Sequence, residues 1–67
     1  MVYTWIKAGA SKYQMISNGE IYATVFRSEG YMPWCVYVDG GLVQRCKTLK
    51  TAKESAQGSA ATYYAHR

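Results

Sequence analysis

A chain of 67 residues, 49% of them hydrophobic and 18% charged, is one small globular domain and not a disordered segment. Folding a chain this short buries only about 60% of the surface that the unfolded form exposes, so the core is thin and a deep catalytic pocket is not expected. The net charge of +4 favours acidic partners such as nucleic acid, although eight scattered basic residues also make an ordinary soluble surface. The two cysteines, Cys35 and Cys46, lack a CxxC spacing, no apolar run approaches the ~20 residues of a membrane span, and Met1 to Lys7 lacks the features of a signal peptide. A cytoplasmic, reduced protein is therefore expected.

Val2 to Lys7 (VYTWIK) is rich in β-formers, but Ala8 to Ser11 interrupts it, so residues 1–11 read as a short strand or an ordered arm. Lys12 to Ser17 then leads into Asn18-Gly19, a strong hairpin signal because both residues tolerate positive φ. Glu20 to Ser28 is the returning strand, and the loop EGYMP ends at Pro33. Trp34 to Asp39 is the next strand, Gly40-Gly41 the turn, and Leu42 to Lys47 the last strand. From Thr48 the period changes: Leu49, Ala52, Ala56, Ala60 and Tyr63 recur at spacings of three and four, with polar Lys50, Lys53, Glu54 and Gln57 between them. Either Thr48 or Thr51 can cap this helix, and Thr51 to Glu54 has the form of a capping box. Gly58 costs about 1 kcal/mol in mid-helix relative to alanine; an alanine stripe that lets the backbone lie close to a sheet offsets it.

The expected architecture is α+β, a three- or four-stranded antiparallel sheet of two hairpins packed on one C-terminal helix. It forms a single domain over 1–67, with the sheet at 12–47 and the helix at 48–65. Register depends on the two turns, because a one-residue slip moves every side chain to the other face. Two-residue loops set Ile16 opposite Ile21 and Cys35 opposite Cys46. Three-residue loops, Ser17-Asn18-Gly19 and Asp39-Gly40-Gly41, group Tyr13, Met15, Ile21, Ala23 and Val25 with Trp34, Val36, Val38, Leu42 and Cys46 under the helix. The second choice gives the more coherent apolar face. It leaves Ile16, Tyr22, Phe26, Tyr37, Val43 and Arg45 on an open face, which single-domain monomers rarely leave bare.

Catalytic chemistry is sparse. The one histidine, His66, adjoins the C-terminus, and Glu20, Glu29, Asp39 and Glu54 lie beside turns or on the helix surface, so no acid-base pair is evident and no enzyme is expected. No metal set, glycine-rich phosphate loop or cofactor site is recognised.

The segments YATVFR, PWCVYV and LKTAKESA (Leu49 to Ala56) resemble the three-stranded-sheet-plus-helix DNA-binding domain of plant ethylene-response factors and phage integrase arms. The resemblance covers Tyr22 to about Ala61 through Trp34, Val36, Thr51, Ala52, Glu54 and Ala56. It implies reading of the DNA major groove by arginines and tryptophans standing on the sheet, for which this chain's sheet face offers Arg45, Lys47 and Arg27. A second resemblance, through NGEIYATV (Asn18 to Val25), WCVYV (Trp34 to Val38) and TLKTAK (Thr48 to Lys53), is to small phage and prophage proteins. It implies an accessory protein that blocks or redirects a host enzyme by binding it, as anti-CRISPR proteins do.

Three readings follow. The first is a non-enzymatic inhibitor or modulator of a host nucleic-acid-handling or defence complex, using Tyr22, Phe26, Tyr37 and Arg45. The second is DNA or RNA binding through Arg27, Arg45, Lys47, Lys50 and Lys53, with aromatic rings as stacking platforms. The third is a homodimeric structural module.

Overall fold

A computed structural model describes residues 3–65, with the side chains of residues 64 and 65 left aside. His66 and Arg67 lie outside the described residues. The chain forms five strands, β1 (Thr4–Gly9), β2 (Lys12–Ser17), β3 (Glu20–Arg27), β4 (Trp34–Val38) and β5 (Gly41–Cys46), followed by helix α1 (Leu49–Ala65). The strands make one antiparallel sheet in the order β1-β2-β3-β4-β5, so every strand pairs with its neighbour in sequence. This α+β fold has one strand more than the upper expectation. The extra strand is the N-terminal segment: Trp5 pairs with Met15 and Lys7 with Tyr13, and a register shift between Lys7 and Gly9 absorbs the Ala8-Gly9 interruption.

Both long hairpins use the same device, and it corrects the expected register. Asn18 and Gly19 have φ of 53° and 77°, and Asp39 and Gly40 have 54° and 80°. Two successive positive φ values define a two-residue type I′ turn, so Ser17 pairs with Glu20 and Val38 with Gly41. A tight turn alone would have sent Ala23 and Gln44 to the wrong side. In each hairpin a bulge on the returning strand repairs the phase: Ile16 pairs with Ile21 but Met15 with Ala23, and Tyr37 pairs with Leu42 but Val36 with Gln44. The extra residues are Tyr22 and Val43. Beyond the bulges the expected inner face is restored, with Met15, Ala23, Val25, Val36, Val38 and Cys46 buried under α1.

The helix lies over β3, β4 and β5. Ala52, Ala56 and Ala60 are completely buried at i, i+4 and i+8, which puts the helix backbone close to the strands without a large side chain between them. Thr48, not Thr51, is the cap: its hydroxyl oxygen accepts from the Thr51 amide at 3.2 Å and its carbonyl from the Ala52 amide at 3.0 Å. At the far end the Tyr63 hydroxyl donates to Asp39 Oδ2 at 2.6 Å, fastening the helix to the second hairpin turn. Further across, the Ser55 hydroxyl bonds Gln44 of β5.

Candidate functional site

Pairing fixes what the face opposite the helix carries. One row runs across all five strands as Ile6, Gln14, Thr24, Tyr37 and Leu42. A second crosses four strands as Lys12, Phe26, Cys35 and Arg45, and a third joins Thr4, Ile16 and Ile21. The Phe26 and Tyr37 rings stack across two rows at 5.2 Å between centroids with 19° between planes. Cys35 also lies on this face but is buried there, 6% exposed, beside Phe26. Ile6, Ile21 and Leu42 are 41%, 53% and 52% exposed. With β1 seated as an edge strand and the helix on the other side, no described element covers this face.

Four residues lie on the side opposite to the one their sequence pattern predicts. Ile21 and Leu42, expected under the helix, are exposed on the outer face because each pairs with an outward residue before its bulge. Tyr22 and Val43, expected on the open face, are turned away by the bulges. Tyr22 packs against the core and edge-on against Tyr3 at 5.8 Å, and Val43 lines a groove with Gly58, Ser59, Thr62 and Tyr63 of α1. Of the residues expected to bind a partner, Phe26, Tyr37 and Arg45 therefore share one face and Tyr22 does not. The signals for Ile21 and Leu42 are the two-residue turns that precede them, Asn18-Gly19 and Asp39-Gly40 respectively.

Arg45 has a structural task as well. Its Nε donates to the Met32 carbonyl at 3.1 Å and its Nη2 to the Glu29 carbonyl at 3.0 Å, bracing the 28–33 loop against β5. Between the splayed hairpin tips lies a recess of about 410 Å³, walled by Ile21 to Thr24 on one side and Tyr37, Asp39 and Gly40 on the other. Tyr37 forms part of its wall.

The expected nucleic-acid residues gather at one end of the sheet. In an up-and-down meander the ends of β1, β3 and β5 lie together with the starts of β2, β4 and α1. That end carries Arg27, Lys47, Lys50 and Lys53, with Arg45 one residue before the end of β5, and also Lys7 and Lys12, which sequence reasoning had not included. Lys53 Nζ lies 4.8 Å from the Tyr13 ring centre and 5.4 Å from that of Trp5, and Lys47 Nζ lies 4.5 Å from the Tyr31 ring. The opposite end carries Glu20 and Asp39 beside the two tight turns.

Among the described residues, no three His, Cys, Asp or Glu side chains converge as a metal site would require. The four carboxylate residues are all exposed and belong to different elements or loops. No described helix is long and apolar enough to cross a membrane. Comparisons with protein families, curated proteins and solved structures return no match.

Proposed function

We propose that this chain is a non-enzymatic binding protein of the phage-accessory type, which docks on a host protein through the outer face of its sheet and so modulates a nucleic-acid-handling or defence complex. The observation that carries the reading is the uncovered face built on the Phe26–Tyr37 stack and edged by Ile6, Ile16, Ile21 and Leu42. Five strands about 4.8 Å apart and three rows about 6.8 Å apart outline some 19 by 14 Å. That is the scale of the apolar centre of an interface, whose full extent is about 800 Å² per partner.

The composition suits a protein partner better than bases. Interface centres are rich in aromatic and aliphatic groups and poor in charge, with charge at the rim. Here the central row has no charged residue, while Lys12 and Arg45 stand at the two ends of the next row. Phe26 and Tyr37 each give one ring face to the other, which leaves less of them for stacking on bases. The recess beside Tyr37 offers a place for an anchoring side chain, the arrangement that concentrates binding energy in protein interfaces.

Leu42→Glu and Ile21→Glu test the reading, because both side chains are more than half exposed and their loss leaves the core intact. Each variant is expected to melt like the parent and to lose a host protein that the parent retains from lysate. Retention of that protein by both variants would remove the outer face from the interface. A concentration-dependent dimer that these variants dissociate, with no host protein bound, would favour the homodimeric module instead.

A further inference from the structure

We propose that the end of the sheet where α1 begins is a second binding surface, which takes the phosphate backbone of nucleic acid independently of sequence. All seven lysines and arginines among the described residues lie at this end, in company with Glu29 and Glu54, while Glu20 and Asp39 lie at or near the other end. Residues from four strands and the helix contribute, spaced across a width of about 19 Å by strand spacing. A duplex presents one phosphate per ~1.7 Å of its axis, so a basic edge of this width meets many of them.

The placement opposes stability, which separates it from an ordinary solvated face. The helix amino terminus carries partial positive charge, so acids belong in the first turn and bases in the last. Helix α1 has no acid in its first turn and no base in its last, and it carries Lys50 in the first turn and Lys53 in the next. Positions where local rules are broken mark function. Four of the cations, Lys7, Lys12, Arg27 and Lys50, form no ion pair among the described residues and stand exposed. Tyr31, 79% exposed beneath Lys47, supplies an aromatic ring next to the cations, as sequence-independent strand binders do. Arg45 is the exception in the group, since backbone carbonyls hold its guanidinium.

The outer face and this end adjoin at Lys12 and Arg45 but are probed by different residues and different readouts, so the two proposals fail separately. Fluorescence anisotropy of the full chain with an arbitrary labelled 20-base-pair duplex and a 20-nucleotide single strand, titrated between 50 and 200 mM salt, is the measurement. With about five phosphates neutralised, the log–log salt slope on duplex is near −4.5, roughly a 500-fold loss of affinity over that range. The triple variant Lys12→Gln/Lys47→Gln/Lys50→Gln is expected to keep its thermal melt and to reduce the slope by about 2.7, whereas Leu42→Glu leaves it largely unchanged. Binding to either probe with this pattern supports the proposal, and the tighter probe identifies the form of nucleic acid. No binding to either at 50 mM salt, a slope that the triple variant does not change, or binding only to vesicles of anionic lipid would overturn it.

Discussion

Reversing the charge at Lys50 sets stability against binding, and the two effects should move in opposite directions. Thr48 caps the helix, Leu49 is its first residue and Lys50 its second, with a side chain exposed to solvent. The Thr48 hydroxyl satisfies the Thr51 amide, which leaves the amides of the first turn before it to give the terminus its positive field. An exposed charge in this position is worth about 0.3–1 kcal/mol. Lys50→Glu exchanges an unfavourable charge for a favourable one, so the dipole contribution is about 0.6–2 kcal/mol. Neighbour effects nearly cancel: the repulsion with Lys53 at i+3 becomes attraction, while the attraction with Glu54 at i+4 becomes repulsion, each by some tenths of a kcal/mol. The net gain is about 1 kcal/mol, which raises Tm by about 4–8 °C in a domain of this size.

Thermal melts followed by circular dichroism at low salt and at 1 M salt measure this. The gain should be present at low salt and largely lost at 1 M, where the screening length falls to about 3 Å. Nucleic-acid affinity of the same variant should fall. A lower Tm at low salt, or a gain that 1 M salt leaves intact, would refute the electrostatic reasoning about this helix end.

Five further substitutions, at four positions, probe the fold. Gly58→Ala should stabilise by about 0.8–1 kcal/mol, because a Cβ there meets nothing within 4 Å; chemical denaturation should show a higher midpoint with an unchanged slope. Ala56→Leu should destabilise by about 1–3 kcal/mol in the same assay, since Ala56 is completely buried in the core cluster and a larger side chain has to displace its neighbours. Asp39→Gly keeps the positive φ but loses the carboxylate that accepts from Tyr63, whereas Asp39→Ala loses both. The alanine variant should therefore be the less stable by about 1–2 kcal/mol. Trp5→Phe removes a buried indole Nε1 that has no hydrogen-bond partner and keeps a ring below Lys53, so its cost in a thermal melt should be under about 1 kcal/mol.

The parts of the fold that were legible in the sequence are those with a repeated local signal. The helix announced itself by an alanine stripe that recurs for three turns, and the inner residues of β2 to β4 by alternation. The N-terminal segment, legible only as a strand or an arm, forms β1 with little burial of its own: Trp5 is half-buried and its neighbours are exposed, so pairing with β2 holds it more than side-chain packing does. The errors at Ile21, Tyr22, Leu42 and Val43 have one cause. A two-residue turn followed by a bulge and a three-residue turn without one both return Ala23 and Gln44 to the helix side, and they differ only in the residues between. Alternation counted from the buried end cannot distinguish them, but the positive φ that Asp39-Gly40 favours can.

That difference matters for the surface. The bulges pull Tyr22 and Val43 toward the helix side and send Ile21 and Leu42 outward, so the open face is more aliphatic and less aromatic than the sequence suggested. Its polarity is graded along the strands. The apolar Ile16 and Ile21 lie toward the tight turns, the Tyr37 row is in the middle, and Lys12, Phe26 and Arg45 lie toward the end where the basic residues collect. The apolar face and the basic end are thus continuous through Lys12 and Phe26, which are paired in register. A protein partner seated on the face would bring its own bound nucleic acid against the cations if that strand runs past the Lys12 edge, and the contact would add salt-sensitive affinity to an apolar dock. A partner bound without nucleic acid would lose that addition. Comparing the salt dependence of partner binding before and after nuclease treatment therefore separates two surfaces acting on one complex from two that act alone.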